Sequence, residues 1–544
     1  MSVQEFRSMK ATRVRPRHRV LGALAALAIL SVTPAAAGAQ ADSWWHHITV
    51  LAADSMRGRE TGSPGNRMAV DYIASEFARD GLQPAGTDGF LQPVGFVSRR
   101  IDEPKSRLDI VRNGIVEPIV LGDEATIGMR SAPAQHVEAP VVFIGFGLTV
   151  PELKYDDLAG LDLRGKLVLL ITGGPPSIPG PLLAHYQNVR WEALQRAGVI
   201  GVLSIPNPGG MDIPWDRSKL SRFMPQMSLS DPTLGDAAGA QLTVSVNPAR
   251  ADKLLAGSGH TFAQLMATAD SGKQLPRFAL PISIRASITT VTKRIMSYNV
   301  AGLLRGSDPT LAREYVVLTA HHDHVGVGLP MRGDSIYNGA MDDASGIATL
   351  LETAAAFKSS GRRPKRSLVF LAVTAEEKGL LGSRYYARHP TVPSSSIIAD
   401  VNVDMPLPLF PLHSVIAQGL EESDLADDLR RIAPPLGLRV LSDPEPLRNA
   451  FTRSDQYSFI REGIPAISLK VGFDANSPEH DIVKKWRTER YHAPSDDLLQ
   501  PIDRQSAADF NRLYLRLVEA VADRSTRPAW YPSSFFKRFA KPAM

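Results

Sequence analysis

Residues 319–326 read TAHHDHVG, with His321, His322, Asp323 and His324 in four consecutive positions. Histidine and aspartate at that density suit metal binding or proton transfer, and four other segments carry matching residue types. NGAMDDASG places Asp342 and Asp343 just ahead of a helical stretch, TAEEKGLLGS holds Glu376 and Glu377, VNVDM contains Asp404, and RYHAPSDD supplies His492. Taken singly, each has an ordinary explanation. An aspartate before a helix is commonly its N-cap, and adjacent glutamates after a strand are commonly solvated. Gathered in one place, these carboxylates would repel one another unless cations neutralised them.

The chain has no cysteine. Disulfides, thiolate ligands and a thiol nucleophile are therefore excluded, and any metal must be held by His, Asp and Glu. Histidine and carboxylate ligands, with one carboxylate left free as general base, are what a pair of zinc ions about 3.5–4 Å apart requires for hydrolysis. Three carboxylate ligands and one hydroxide would balance two Zn²⁺.

The elements that must position these residues follow from the apolar runs. YVVLTA (315–320), SLVFLAV (367–373), IIADVNV (397–403) and AISLKV (466–471) read as buried strands, and SGIATLLETAAAFKSS between the first two reads as an amphipathic helix. Continuous apolar strands alternating with helices predict an α/β fold, a mostly parallel or mixed sheet covered by helices on both faces. Ligands of such sheets bind beyond the carboxyl ends of the strands. There the first strand runs into His321–His324, the second into Glu376 and Glu377, and the third into Asp404. If the chain stays extended past the first strand, His321 and Asp323 point one way and His322 and His324 the other. The first pair would be a ligand with an orienting carboxylate; the second would be two ligands.

Residues 42–118 read as helical at first, around a Gly/Pro break at 62–65, and form the start of the α/β domain. Residues 119–285 change texture to short β-rich runs between Gly/Pro turns, with one helical stretch, YQNVRWEALQRAG; this predicts an inserted β-rich domain. Residues 286–525 carry the strand–helix pattern and the chemistry. The tail, 526–544, is expected to be peripheral. Residues 1–41 have the form of a signal peptide: a basic stretch, the apolar VLGALAALAILSV, and small residues that place cleavage between Ala39 and Ala41. The apolar run is shorter than the ~20 residues of a membrane span. This segment holds six Lys/Arg and one acid, a formal +5, equal to the charge of the whole chain. The pI near 9.2 therefore reports the leader and gives no support for a nucleic-acid partner. The mature chain is expected to be exported, periplasmic or extracellular, with no membrane span.

The motifs AHHDHVG, GAMDDASG, EEKGLLGS, NVDM, SDQYSFIREGIP and YHAPSDD, in this order and spacing, resemble those of the co-catalytic zinc exopeptidases. These are secreted aminopeptidases of the aminopeptidase S and aminopeptidase Y type, related to glutamate carboxypeptidase II. The resemblance covers about 42–118 and 295–523. The insert is similar to a protease-associated domain, on the stretch VFIGFGLTVPELKYDDLAGLDLRGKLVLLITGGPP.

The resemblance implies two Zn²⁺ bridged by Asp342, one completed by His321 and Asp404 and the other by Glu377 and His492. It implies Glu376 as general base and Asp323 as a carboxylate behind His321. It selects the His321–Asp323 pair and leaves His322 and His324 as neighbours of the cleft. Position 343, often Asn in that family, is Asp343 here; hydrogen bonding or capping is expected of it, and no metal. Tyr457 lies where a hydroxyl could polarise a substrate, although a structural tyrosine is the more ordinary outcome.

The implied substrates are peptides, cut at the N-terminus. Arg448 and Arg453 keep a glutamate-type carboxypeptidase open as an alternative, since clustered arginines bind carboxylates. A transferrin-receptor-like binding protein would lack ligands that this chain has. A glutaminyl-cyclase-like acyltransferase fits poorly with the insert and Asp342. A homodimer is left open.

Overall fold

Two β-sheets with separate cores organise the chain. The computed structural model describes residues 34–541 apart from 236–237. The expected leader thus falls largely outside the described residues; the helix Pro34–Leu51 runs through the region where its cleavage is expected. No helix among the described residues is long and apolar enough to cross a membrane.

The larger sheet has ten strands. At its centre Tyr315–His321 lies parallel to Ser367–Val373 on one side and to Ile397–Asn402 on the other, and Ala466–Val471 follows parallel to Ile397–Asn402. All seven residues of Ser367–Val373 are buried, the pattern of a strand covered on both faces. Thr290–Leu304 and then Leu91–Ile101 extend the sheet antiparallel. The fold is therefore mixed α/β, as the strand–helix alternation predicts.

Helix Ser345–Ser360 packs its Ile347, Leu350, Leu351 and Ala354 into the main core. It stops where Gly361 takes φ 63, the left-handed turn that glycine adopts without a Cβ clash. Helix Pro64–Arg79 starts from the Ser63 hydroxyl, which accepts the Asn66 N–H, with proline at its first position.

The second sheet has eight strands. It begins with Arg107–Arg112 and Ile115–Pro118, upstream of the expected boundary at 119, and ends with Phe278–Ser287. The boundary is earlier because Arg107–Arg112 pairs with Phe278–Ser287, the strand that closes the insert. The insert also lends a strand to the main sheet, Gln226–Leu229, which pairs with Leu91–Ile101.

The tail is not peripheral, contrary to expectation. Trp530 and Phe536 are buried beside Tyr457, Ile460 and Ala466 of the main domain. Phe535 and Phe539 pack their rings, tilted, against His185 of the insert. Four aromatic side chains supply enough apolar surface to hold a Pro-rich segment down.

Candidate metal centre

Every residue of the centre sits at a carboxyl end of a central strand or in an adjoining loop. His321 is the last residue of its strand. Glu376 and Glu377 follow Ser367–Val373, and Asp404 lies just past Ile397–Asn402. Asp342 sits in the irregular turn that opens helix Ser345–Ser360. His492 follows helix Pro478–Glu489. Ala375, Met405 and His492 hold positive φ values of 56, 53 and 51. Non-glycine residues pay roughly 1–3 kcal/mol for such conformations, which persist where surrounding structure enforces them. Each flanks or is one of the residues in question.

The two oxygens of Asp342 face two different groups. Its Oδ1 lies 3.2 Å from His321 Nε2, which is itself 3.8 Å from Asp404 Oδ1. Its Oδ2 lies 3.2 Å from His492 Nε2 and 3.7 Å from His324 Nδ1. Glu377 completes that side, with Oε1 2.8 Å from His324 Nδ1 and Oε2 3.1 Å from His492 Nε2. His321–Asp342–Asp404 and His324–Asp342–Glu377 are each compact enough to hold one metal ion.

His324 thus belongs to the cluster and is not a mere neighbour of the cleft. The alternation argument fails because the regular strand ends at His321, and beyond it successive side chains need not alternate. His322 does point away. Its ring nitrogens meet the Asn66 amide at 3.1 Å and the Tyr298 carbonyl at 2.9 Å.

The remaining contacts orient the cluster. His321 Nδ1 is 3.1 Å from the carbonyl of Asp323, and the Asp323 carboxylate stands farther off at 3.9 Å. That carboxylate accepts from the Thr61 hydroxyl and from the Glu376 N–H, so it positions Glu376 as well. Asp343 accepts the N–H groups of His321, Gly346 and Met405, tying strand end, helix start and the Asp404 loop together.

Two supports were not read from the sequence, although one of them, Asp496, lies within the YHAPSDD motif. Asp496 accepts the N–H groups of Met341 and Asp342. Arg59, fully buried, donates to the carbonyls of Leu51, His322, Asn338 and Gly339, behind the acidic cluster. Tyr457 is a buried tyrosine whose hydroxyl lies 3.1 Å from His185 of the insert.

The electrostatics separate the neighbouring glutamates. Burial raises Glu376 well above the ordinary carboxylate range, and Asp455, Glu377 and Asp404 add to it against the pull of His321. Burial also opposes ionisation of Glu377, but His492 and His324 outweigh it and hold this carboxylate well below its usual range. Asp342 and Asp404 are likewise held low, against burial, by the histidines. Two adjacent carboxyl groups pushed in opposite directions suit a proton carrier beside a ligand.

The donor set fits a zinc pair. His324 Nδ1 and Nε2, Asp342 Oδ2, Glu377 Oε1 and Asp404 Oδ1 are buried without a properly directed hydrogen bond. Buried polar atoms are normally satisfied. Orphaned nitrogen and oxygen donors converging on shared points are what a cation would satisfy.

Residues 299–518 match the model of peptidase family M28. A probable zinc metalloprotease of Pyrenophora teres f. teres is 37% identical over 108 residues, 20% of this chain and 22% of that protein. One of Pyricularia oryzae is 42% identical over 91 residues, 16% of this chain and 17% of that protein. The chain thus spans about a fifth of the length of these relatives. Among solved structures, an aminopeptidase from Aneurinibacillus sp. strain AM-1 superposes with a TM-score of 0.54 at 21% identity, over 91% of this chain and 97% of that one. At this identity the likeness is one of fold, and it extends across the insert.

Proposed function

With residues 299–518 matching peptidase family M28, we propose that the chain is an exported zinc-dependent exopeptidase that removes N-terminal residues from peptides, with an insert of the protease-associated type. The observation that carries this reading is Asp342, whose two oxygens face two separate ligand groups. His321 and Asp404 would hold one zinc, and His324, Glu377 and His492 the other. When bound, the pair would polarise a peptide carbonyl and make water a stronger acid.

The chain's own residues do the rest. Glu376 takes a proton from the attacking water and passes it to the leaving amine, a role suited to a carboxyl group raised by burial. Asp323 fixes Glu376 through its N–H. Glu376 lies where a small pocket of about 110 Å³ meets a groove of about 600 Å³ between main domain and insert; it lines both. Room for one residue on one side and for a chain on the other supports cleavage next to a terminus.

The carboxypeptidase alternative needs Arg448 and Arg453 free for a carboxylate. Both are instead bound to Asp212 of the insert: Arg448 Nε and Nη2 at 2.9 and 3.0 Å and Arg453 Nη1 at 3.0 Å. Burial would raise Asp212, yet the two arginines bring it down to about 2.

The test is cleavage of one short peptide with free ends, with a blocked N-terminus and with a blocked C-terminus, by zinc-loaded protein. Aminopeptidase activity predicts loss only when the N-terminus is blocked. Loss only with the C-terminus blocked would make the enzyme a carboxypeptidase.

A further inference from the structure

The small pocket beside Glu376 has an uneven wall. Part of the lining is apolar, with Leu407, Ile416, Phe473 and Val483. The rest of the lining is charged: four cations, Arg448, Arg453, Arg487 and Lys470, the carboxylates Asp443 and Glu445, and the site's own Asp342, Glu376 and Asp404.

Most of these charges are spoken for. Arg448 and Arg453 hold Asp212. Arg487 holds Glu445 through both its oxygens at 2.6 Å, and His480 joins at 3.2 Å. Asp443 accepts the Glu445 N–H. Setting aside Asp342, Glu376 and Asp404, which belong to the metal centre, and counting Asp212, three carboxylates meet four cations, so the part of the pocket away from the centre keeps one cation more than its acids.

Lys470 is the cation with no hydrogen bond or ion pair among the described residues. It is partly buried on strand Ala466–Val471, opposite Ile416. Its field reaches Asp404 on one side and Asp443 on the other. A half-buried ammonium without a direct partner gains when an anion arrives.

We infer that Lys470 makes this pocket selective for an N-terminal residue whose side chain bears a carboxylate, glutamate or aspartate. The inference rests on the aminopeptidase reading and names its substrate class. The substrate's stem packs on Leu407, Ile416 and Phe473, its carboxylate meets Lys470, and its α-ammonium faces the carboxylates at the pocket mouth. The arginines contribute no competing site while Asp212 occupies them.

The test compares kcat/KM for three peptides that differ only in a free N-terminal Glu, Leu or Lys. The expected order is Glu above Leu above Lys, with Glu ahead of Leu by at least about 10-fold, the scale of one charge-assisted hydrogen bond. Lys470→Met should collapse the Glu:Leu ratio toward one. Lys470→Glu should invert the order so that the Lys peptide becomes the best of the three, a gain that misfolding cannot produce. In a binding readout, free glutamate should raise the melting temperature of the zinc-free protein more than leucine does, and Lys470→Met should abolish the difference.

Leu equal to or above Glu in the parent protein, or an unchanged ratio in Lys470→Met, would overturn the inference; Lys470 would then only balance Asp404 and Asp443. Cleavage of N-blocked peptides would assign Lys470 to a terminal carboxylate and overturn it too. Failure to cleave any of the three peptides, with zinc bound, would instead sink the aminopeptidase reading.

Discussion

Two of the places where the chain buries histidines among carboxylates treat them in opposite ways. Under helices Pro34–Leu51, Pro64–Arg79 and Ser345–Ser360, His47 sits 4.0 Å from Glu76 and 3.6 Å from Glu352, with the Tyr72 hydroxyl 2.7 Å from its Nδ1. Burial dominates there. It raises Glu76 and Asp80, lifts Glu352 to about 7 and lowers His47 to about 4. There burial favours the neutral forms, most clearly of His47 and Glu352, and Arg79 pairs with Glu76. At the strand ends the acids Asp342, Glu377 and Asp404 are held low, and His321 and His492 climb: His492 reaches about 10 against the effect of burial, under the pull of Glu377 and Asp342. Clustered His and Asp/Glu do not by themselves announce a metal. Carboxylates held ionised in a buried group whose histidines are their counter-charges, with no Arg or Lys ion pair such as Asp212 has, point to one more strongly.

The comparison breaks most directly at Asp342. Asp342→Ala should remove both zinc groups at once, dropping metal content from two toward zero per chain by elemental analysis. Its activity loss should exceed the roughly 10–100-fold typical of residues that merely support ligands. Retention of two zinc ions would refute the bridging arrangement. Glu376→Gln should cost at least about 10²-fold in kcat while zinc content stays at the parent level; loss of zinc would make Glu376 a ligand. His324→Ala should weaken the second ion by about 10–100-fold in competition with a chelator and leave the first in place, whereas His322→Ala should leave both affinities unchanged. Equal effects from the two histidines would return His324 to the role of a neighbour.

His324 also marks how far sequence could take the site. Strands Ser367–Val373 and Ala466–Val471 and helix Ser345–Ser360 coincide with the apolar runs that predict them, since continuous burial leaves a continuous hydrophobic signature. The strand ends then say which segments meet. They do not say where a side chain points once regular geometry stops, and His324 lies three residues past the last regular one. Arg59 and Asp496 act mainly through backbone groups far away in sequence, and a backbone contact does not announce its partner, even for Asp496 inside the YHAPSDD motif. The tail reads as a Pro-rich end because its aromatics find their partners on two domains at once. Lys470 looks like one charged residue in a largely apolar strand until the pocket around it is seen.

Zinc itself sharpens the contrast. In metal-free protein His492 has a folded pKa of about 10 against an ordinary 6.5. A raised histidine stabilises the fold fully below pH 6.5 and loses that contribution as pH rises toward 10. Metal-free protein should therefore lose melting temperature over that range. Zinc-loaded protein should not, and zinc binding at pH 7 should release protons measurable by calorimetry in buffers of different ionisation enthalpy. No proton release would mean that the histidines are already neutral.

The smallest effect belongs to the other cluster. Glu352 sits near 7 in the fold and near 4.5 unfolded, so its contribution is complete below pH 4.5 and is lost as pH rises through 7. Zinc should not alter this loss, because Glu352 lies under the helices and not at the strand ends. Glu352→Gln removes the titration while keeping a polar partner for His47. It should raise the melting temperature on the order of 1–3 °C at pH 8 and leave it unchanged at pH 4.5. An equal shift at both pH values would mean that Glu352 acts by packing alone. A drop at pH 8 would mean that it is ionised and paired with a charged His47, and the two clusters would then handle buried carboxylates in the same way.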